Sequence, residues 1–205
     1  MRRISSSAGT STRTAAVCPV TMLRLLVRRA GRAPFGNTCR SSGPDEPVAV
    51  TVVEFYSSAL DHYFITWVPE EIAILDAGTQ IKGWARTGHV FRTNTSAQAG
   101  TSPVCRYYIP PALGNSHFFG RGTVECNATG QKNPSFVLED GSFMHMALPT
   151  AGVCPSGTAP VYRAFSNRVD ANHRYMIDRA VRDQMVTKGW IAEGDGPDRV
   201  VMCAS

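Results

Sequence analysis

Short segments in which apolar and aromatic residues alternate with polar ones recur along the chain in a fixed order. Segments rich in β-branched and aromatic residues predict strands. Each is followed by turn formers and then by a second aromatic segment led by a histidine, so each pair predicts a β-hairpin. The first strands are residues 52–56, 104–108 and 161–165, and the histidines are His62, His117 and His173.

The pattern predicts a helix after the first and third hairpins. Thr66 is the expected N-cap of the first helix and Gly78 its expected end, while Asp178 and Gly189 have these roles in the third. The equivalent segment of the second hairpin, residues 122–128, predicts only a turn or two. An aromatic-led segment and a further strand then follow each time, beginning at Trp84, Phe136 and Trp190.

These patterns predict three copies of one unit, over approximately residues 50–98, 102–148 and 159–205. The expected fold class is α+β and β-rich, with three pseudo-repeats of β-hairpin, helix and β-strand packed around a common core in a trefoil-like, pseudo-threefold arrangement. An open stack is disfavoured because exposed hairpin edges would need capping. We therefore expect a three-repeat domain over residues 47–205, after a separate tail over residues 1–46.

The net charge of +5 comes from the N-terminal tail. Residues 1–44 contain eight arginines and no acidic residue, whereas residues 45–205 carry a net charge of −3. Nucleic acid is not an expected partner, because a phosphate-binding face needs clustered basic residues. The tail composition predicts a disordered segment or an atypical leader, with an organellar transit peptide as the alternative. Its apolar run, residues 20–27, is interrupted by Arg24, so neither a clear signal peptide nor a transmembrane segment is predicted.

Four of the six cysteines lie in the predicted domain, namely Cys105, Cys126, Cys154 and Cys203. They lack the close spacing of zinc ligands, so disulfides in an oxidising, extracytoplasmic compartment are favoured over metal binding or buried thiols. In the three-unit arrangement, a Cys105–Cys126 bridge would lie within the second unit and a Cys154–Cys203 bridge would join the ends of the third. Bridges between different units are the alternative.

Several motifs of the chain resemble a family of secreted bacterial and fungal tandem-repeat domains of unknown function. The motifs are Val-x-x-Phe-Tyr, Asp-His-Tyr-Phe and Gly-Trp-x-x-Thr-Gly in the first unit, and residues 160–163, 172–175 and 195–198 in the third. Units of that family read roughly Val-Tyr-Arg-Phe-Tyr, Asp-His-Phe-Tyr-Thr and Trp-x-x-Glu-Gly. The resemblance covers about residues 50–205. It implies a secreted or periplasmic domain that occurs alone or beside secreted hydrolases and cell-surface proteins, without an established catalytic role.

The three histidines are the strongest candidates for chemistry, since imidazole is the commonest metal ligand. Their recurrence in every unit favours a structural role, in which each histidine bonds within its own hairpin, and no metal or other cofactor is expected. Glu139 and Glu193 lie at equivalent positions and resemble a glycosidase carboxylate pair. The first unit has Thr87 there, which favours a solvated or turn-bonding role.

No hydrolase motif is present, and a disulfide would remove the thiolate of a Cys105–His117 pair. The sequence therefore predicts a non-catalytic domain. Trp67 falls outside the repeat pattern and is the aromatic side chain expected to be exposed. With His62, His117 and His173 it forms the predicted ligand-binding set, and a glycan or cell-envelope polymer is the hypothesised partner. The alternatives are a structural spacer or accessory domain of a secreted hydrolase system, and a degenerate hydrolase.

Overall fold

The computed structural model of the protein describes residues 48–205, so the predictions for the N-terminal tail lie outside the described residues. Strand accounts for 46% and helix for 20% of the structure. The helices are α1 (Pro69–Ala77), α2 (Gly122–Lys132) and α3 (Arg179–Thr187), with a 3-10 turn at Pro111–Leu113. The strands are β1 (Ala49–Ser57), β2 (His62–Thr66), β3 (Trp84–Asn94), β4 (Thr101–Ile109), β5 (Ser116–Arg121), β6 (Val137–Ala147), β7 (Ala159–Phe165), β8 (His173–Met176), β9 (Ile191–Glu193) and β10 (Val200–Ala204).

The three hairpins form where the alternating pattern places them. Strands β1 and β2, β4 and β5, and β7 and β8 pair antiparallel. Each hairpin is followed by a helix and then by further strand, in the expected order. Residues 50–98, 102–148 and 159–205 are called the first, second and third units below.

The expected α+β, trefoil-like fold class is wrong. The strands form one ten-stranded antiparallel sheet with a β-sandwich-like arrangement, rather than separate hairpin–helix units around an axis. The sheet runs β2-β1-β3-β6-β10-β7-β8, while β4 joins it through β6, β5 pairs with β4, and β9 pairs with β7. Neighbouring units are hydrogen-bonded to one another through β6, which pairs with β3 at Asn94–His145 and with β10 at Cys203–Ala147.

The length of β3 and β6 explains why the sequence pattern failed here. Each is a continuous strand of 11 residues, although the pattern divides each into two segments at Gly88 or Gly141. The pairing register shifts opposite both glycines, between Val53 and Phe55 and between Val104 and Arg106. A β-bulge bends a strand without ending it, so the far end of each strand reaches the neighbouring unit.

The helices bury few side chains and so contribute little to the core. Leu75 is the buried residue of α1, and Met185 is the buried apolar residue of α3. Two predicted helix ends are confirmed, since Gly78 caps α1 in the left-handed conformation and the Asp178 side chain accepts a hydrogen bond from the Ala180 amide. Thr66 is not the N-cap of α1, because Val68 occupies that position. Helix α2 has 11 residues rather than the expected turn or two.

The largest group of buried apolar side chains draws on all three units. Burying side chains of this size stabilises the fold by about 1.5–3 kcal/mol each. They come from nine strands, β1 to β8 and β10, so the units share one core. Its members include Val52, Ile65, Phe91, Val104, Phe119, Phe143, Met144, Met146, Val161, Tyr175, Val201 and Met202.

Both predicted disulfides are present. Cys105 is bonded to Cys126, which fixes α2 to β4, and Cys154 is bonded to Cys203, which joins the segment just before the third unit to the last strand of that unit. The alternative bridges between different units are therefore excluded. Within residues 48–205, none of the helices is long and apolar enough to cross a membrane.

Candidate functional site

A charged residue lies at the centre of the first strand of each hairpin. These residues are Glu54, Arg106 and Arg163, and each pairs with an oppositely charged side chain from a different unit. Arg174 binds both carboxylate oxygens of Glu54 at 2.9 Å, Arg106 Nη1 lies 2.8 Å from Glu71 Oε1, and Arg163 Nη2 lies 2.7 Å from Glu125 Oε1. The three ion pairs link the first unit to the third, the second to the first, and the third to the second.

The second and third units add the same two groups to their arginine. In the second unit, Glu139 Oε2 lies 2.7 Å from Arg106 Nε and 3.2 Å from His117 Nε2. In the third unit, Glu193 Oε2 lies 2.7 Å from Arg163 Nε and 3.7 Å from His173 Nε2. The hairpins of the second and third units also have the same register. In each, the residue two positions after the arginine pairs with the histidine, as Tyr108 does with His117 and Phe165 with His173. Both units therefore contain an arginine–glutamate–histidine trio.

The first unit differs because its central residue is acidic. Thr87 occupies the position of the two glutamates, and its hydroxyl donates a hydrogen bond to Glu54 Oε2 at 2.6 Å. His62 is almost fully buried and bonds Asp170 of the third unit at 3.2 Å. Glu139 and Glu193 therefore have specific arginine partners rather than the expected solvated or turn-bonding role. The expected bonding of each histidine within its own hairpin is also wrong.

The histidine of the third-unit trio is covered by aromatic rings. His173 stacks on Phe165 with ring centroids 4.9 Å apart, and the edge of Phe118 covers it from another side at 5.0 Å. Burial, and then the positive charge of Arg163, hold the pKa of His173 well below its usual range. Because the imidazole of His173 is therefore neutral, its 3.7 Å contact with Glu193 is a packing contact and not an ion pair.

The closed position of His173 predicts a dependence of stability on pH. Near pH 6.5 a histidine of the unfolded chain binds a proton, whereas His173 in the folded protein does not. The free energy of unfolding should therefore decrease as the pH falls below about 6.5, by up to about 1.4 kcal/mol per pH unit from this group. Urea unfolding of the wild type and of His173→Asn at pH 7.5, 6.5 and 5.5 measures the difference. Equal slopes for the two proteins would contradict the assignment.

The trio of the second unit faces a cavity of about 270 Å³. The cavity lies between the first and second units, and its size is just below the range of roughly 300–1,000 Å³ typical of pockets for drug-sized ligands. It is therefore large enough for one compact ring. Its lining consists of Tyr63, Phe64, Glu71, Ile74, Leu75, Ile81, Trp84, Arg106, Tyr108, Asn115, Ser116, His117 and Glu139.

One wall of the cavity is aromatic. Phe64 and Trp84 meet edge to face, with ring centroids 6.2 Å apart and planes at 72°. The His117 ring lies 4.8 Å from Phe64 and 5.5 Å from Tyr108, so it connects the aromatic wall to the polar one. These rings are only partly buried, and all of them line the cavity.

The polar wall is held in place by bonds within the protein. Arg106 is fixed between Glu71 and Glu139. The Tyr108 hydroxyl donates a hydrogen bond to Asn115 Oδ1 at 2.8 Å, which leaves the Asn115 amide nitrogen free to donate to a ligand. The side chains that border the cavity are therefore arranged before any ligand arrives.

Glu139 is an ionised group under ordinary conditions. The His117 ring is the largest cause of its lowered pKa, burial acts in the opposite direction, and Arg106 adds to the lowering. Its other oxygen, Oε1, accepts no hydrogen bond from a side chain among residues 48–205, and the shortest contacts of the carboxylate with Arg106 and His117 are made by Oε2. The carboxylate thus has one oxygen bound within the protein and one available as an acceptor.

The four residues predicted to bind a ligand lie in different surroundings. His117 lines the cavity, whereas His62 and His173 are held inside the protein. The expectation that Trp67 is exposed is wrong, because it packs on Phe143 and its Nε1 donates a hydrogen bond to the Phe143 carbonyl oxygen at 3.0 Å. Residues 48–205 contain no group of three or more His, Cys, Asp or Glu side chains arranged to hold a metal ion.

Sequence reasoning missed Glu71 and Arg106 as site residues. Glu71 has the position of an ordinary acidic residue in the first turn of a helix. Arg106 carries a clearer signal, since it is a charge in the middle of a strand of apolar and aromatic residues, where burial requires a partner. Nothing in the sequence, however, shows that its partners come from α1 and β6.

The fold and the cavity define a β-rich, disulfide-bonded domain with a preformed pocket between two of its units. The chain matches the family described as Domain of unknown function (DUF5648), over residues 36–146 and again over residues 135–197. It therefore belongs to that family, which confirms the uncharacterised domain family that its motifs predicted. No curated protein and no solved structure matches the chain.

Proposed function

We propose that this protein is a non-catalytic, extracytoplasmic binding domain that takes one ring of a glycan into the cavity beside His117. The observation that carries the proposal is the opposition of an aromatic wall and a fixed polar wall across about 270 Å³. A sugar ring has an apolar face that packs on aromatic rings and a rim of hydroxyl groups that bond charged side chains. The cavity offers both kinds of surface at once.

Comparison of the two trios supports a binding role for the open one. In the third unit the histidine is covered by Phe165 and Phe118, and its side chain is only 11% exposed. In the second unit the histidine is 23% exposed and borders an open space with Phe64 and Trp84 beside it. The space beside His117 therefore distinguishes the two units.

The polar wall also favours tight binding because it is already ordered. A side chain that must be immobilised on binding costs about 0.5–1.5 kcal/mol. Arg106, Glu139 and Asn115 are held by protein contacts before binding, so this cost is small here. The two disulfides support the extracytoplasmic part of the proposal, since such bonds persist in oxidising compartments.

A degenerate or weak hydrolase is the second candidate, because His117 lies 3.2 Å from Glu139 inside a cavity. General acid catalysis by a carboxyl group requires a raised pKa. The pKa of Glu139 is lowered by His117 and, further, by Arg106, which makes it a poor proton donor and a weak base. We therefore favour binding over catalysis. A spacer without a ligand is the third reading, and it predicts that no glycan binds.

The proposal predicts that Trp84→Ala lowers glycan affinity by about fivefold or more, since loss of an aromatic stacking face removes about 1–3 kcal/mol. Trp67→Phe is the matched control, because Trp67 packs on Phe143 and does not line the cavity. Affinities are measured by calorimetry for the ligands that a glycan array identifies, with thermal unfolding of each variant recorded beside them.

Three outcomes would contradict the proposal. Absence of binding to every glycan on the array would favour the spacer. Equal loss of affinity in Trp84→Ala and Trp67→Phe would place the ligand elsewhere. Release of shorter sugars from a bound glycan, abolished by Glu139→Gln, would favour the hydrolase.

A further inference from the structure

The charges that line the cavity indicate which kind of sugar it accepts. Two carboxylates, Glu71 and Glu139, face one guanidinium, Arg106. Apart from His117, the ionisable side chains of the lining carry a net negative charge. The side chains of both glutamates are 30% exposed, whereas that of Arg106 is only 14% exposed. The more accessible charges of the cavity are therefore the negative ones.

Arg106 is already engaged by two carboxylates. Its Nη1 bonds both oxygens of Glu71 at 2.8 and 3.1 Å, and its Nε lies 2.7 Å from Glu139 Oε2. A ligand carboxylate or phosphate would have to displace one of these pairs or bind next to two ionised glutamates. Like charges so placed repel strongly where water is partly excluded.

The same surroundings favour a cation. Glu139 Oε1 accepts no hydrogen bond from a side chain of the described residues, so it can accept a hydrogen bond from, or pair with, a ligand ammonium group. The faces of Trp84, Phe64 and Tyr108 carry negative quadrupole charge, which attracts cations within about 6 Å of a ring centre. Aromatic faces beside a carboxylate form the kind of site that holds ammonium ligands.

We propose that the cavity selects sugars that carry a positively charged amino group, as in glycans built from hexosamines without N-acetyl groups. Neutral N-acetylated sugars bind more weakly, and acidic sugars are excluded. This inference rests on the proposed glycan-binding function and specifies its ligand class. The domain thus distinguishes glycans by charge as well as by shape.

The test compares three oligosaccharides of equal length by calorimetry at pH 8. They are N-trimethylated glucosamine, whose charge is permanent, N-acetylglucosamine, which is neutral, and galacturonic acid, which is anionic. We expect the trimethylated sugar to bind about tenfold more tightly than the acetylated one, and no measurable binding of the acidic one. At this pH imidazole side chains are ordinarily neutral, so the carboxylates set the charge of the cavity.

Two variants distinguish binding of the charged sugar in the cavity from its general electrostatic attraction to an acidic protein. Glu139→Gln should reduce the preference for the charged sugar to about twofold, because it removes the available carboxylate. Glu70→Gln removes one negative charge from the turn of α1 that also contains Glu71. Glu70 is exposed and lies outside the cavity, so this variant should leave the preference for the charged sugar unchanged. Thermal unfolding shows whether each variant is folded, and Glu71→Gln replaces Glu139→Gln if the latter is not.

The possible contrary results contradict different parts of the proposal. Equal affinity for the charged and neutral sugars, or tightest binding of the acidic sugar, overturns the charge preference and leaves glycan binding in place. An equal loss of preference in Glu139→Gln and Glu70→Gln overturns the assignment to the cavity. If none of the three sugars binds and the glycan array is also blank, the proposed function itself fails.

Discussion

Replacing Glu54 by Gln is expected to lower the free energy of unfolding by about 3–5 kcal/mol. The Glu54 and Arg174 side chains are 2% and 9% exposed, and two hydrogen bonds join them. Glutamine keeps the size of the side chain and can still accept a bond from Thr87, so the change removes little except the charge. Arg174 is then buried without a counter-ion, which is the costly situation.

Urea unfolding at pH 7 measures this effect, with two companion variants. Asp76→Asn breaks the exposed pair with Arg86, and it should change stability far less because both partners are in water. The double variant Glu54→Met with Arg174→Met removes both buried charges, and it should recover much of the lost stability. A Glu54→Gln protein as stable as the Asp76→Asn protein would show that the buried pair does not hold the units together.

Removing the Cys154–Cys203 bridge is expected to have the second large effect. This bond closes a loop of 49 residues, and the chain-entropy relation assigns about 4 kcal/mol to a loop of that length. The Cys105–Cys126 bond closes 21 residues, for which the same relation gives about 3 kcal/mol. The double variant Cys154→Ser with Cys203→Ser should therefore be the less stable of the two double serine variants.

Urea unfolding of both double variants checks this order, and non-reducing peptide mass spectrometry checks the pairing. The order of stability of the two double variants would be reversed if lost packing contacts, rather than chain entropy, determine the cost of removing a disulfide. The reason is that Cys105 is fully buried, while Cys154 is partly exposed. A free thiol at Cys154 in the native protein would contradict the structure directly. It would also remove one of the two supports for an extracytoplasmic location.

Local features of the fold were predictable because they depend on neighbouring residues. The alternation around Val104 and Tyr108 gives a strand, and the helix cap at Asp178 follows from its position before a helical segment. The disulfides followed from where the cysteines lie within the units. Each of these inferences needs only a short stretch of chain, or two stretches whose order is already known.

The continuity of the sheet was not predictable from the same information. Gly88 has a φ of 89°, which commonly marks a turn, but here the residue lies opposite a bulge within β3. Whether a glycine ends a strand or bends it depends on the strand that pairs with it. That partner is set by packing between units, which the alternating pattern does not record.

The cavity could not be predicted from the sequence for a related reason. Its ionisable residues, Glu71, Arg106, His117 and Glu139, come from α1, β4, β5 and β6, and they meet only when the first two units are packed together. The comparison with Thr87 suggested that Glu139 has no specific partner. The comparison failed because the first unit has an acid, Glu54, where the second has Arg106, so the residues that pair with these positions differ.

The ion pairs between units limit how such a chain can evolve. Deleting the third unit would leave Glu54 and Glu125 without their arginines, since Arg174 and Arg163 both belong to it. Substituting a copy of the second unit for the first would place an arginine opposite Arg174. Neither the number nor the order of the units can therefore change without leaving buried charges unpaired. The three units are expected to be inherited together as one domain rather than as interchangeable modules.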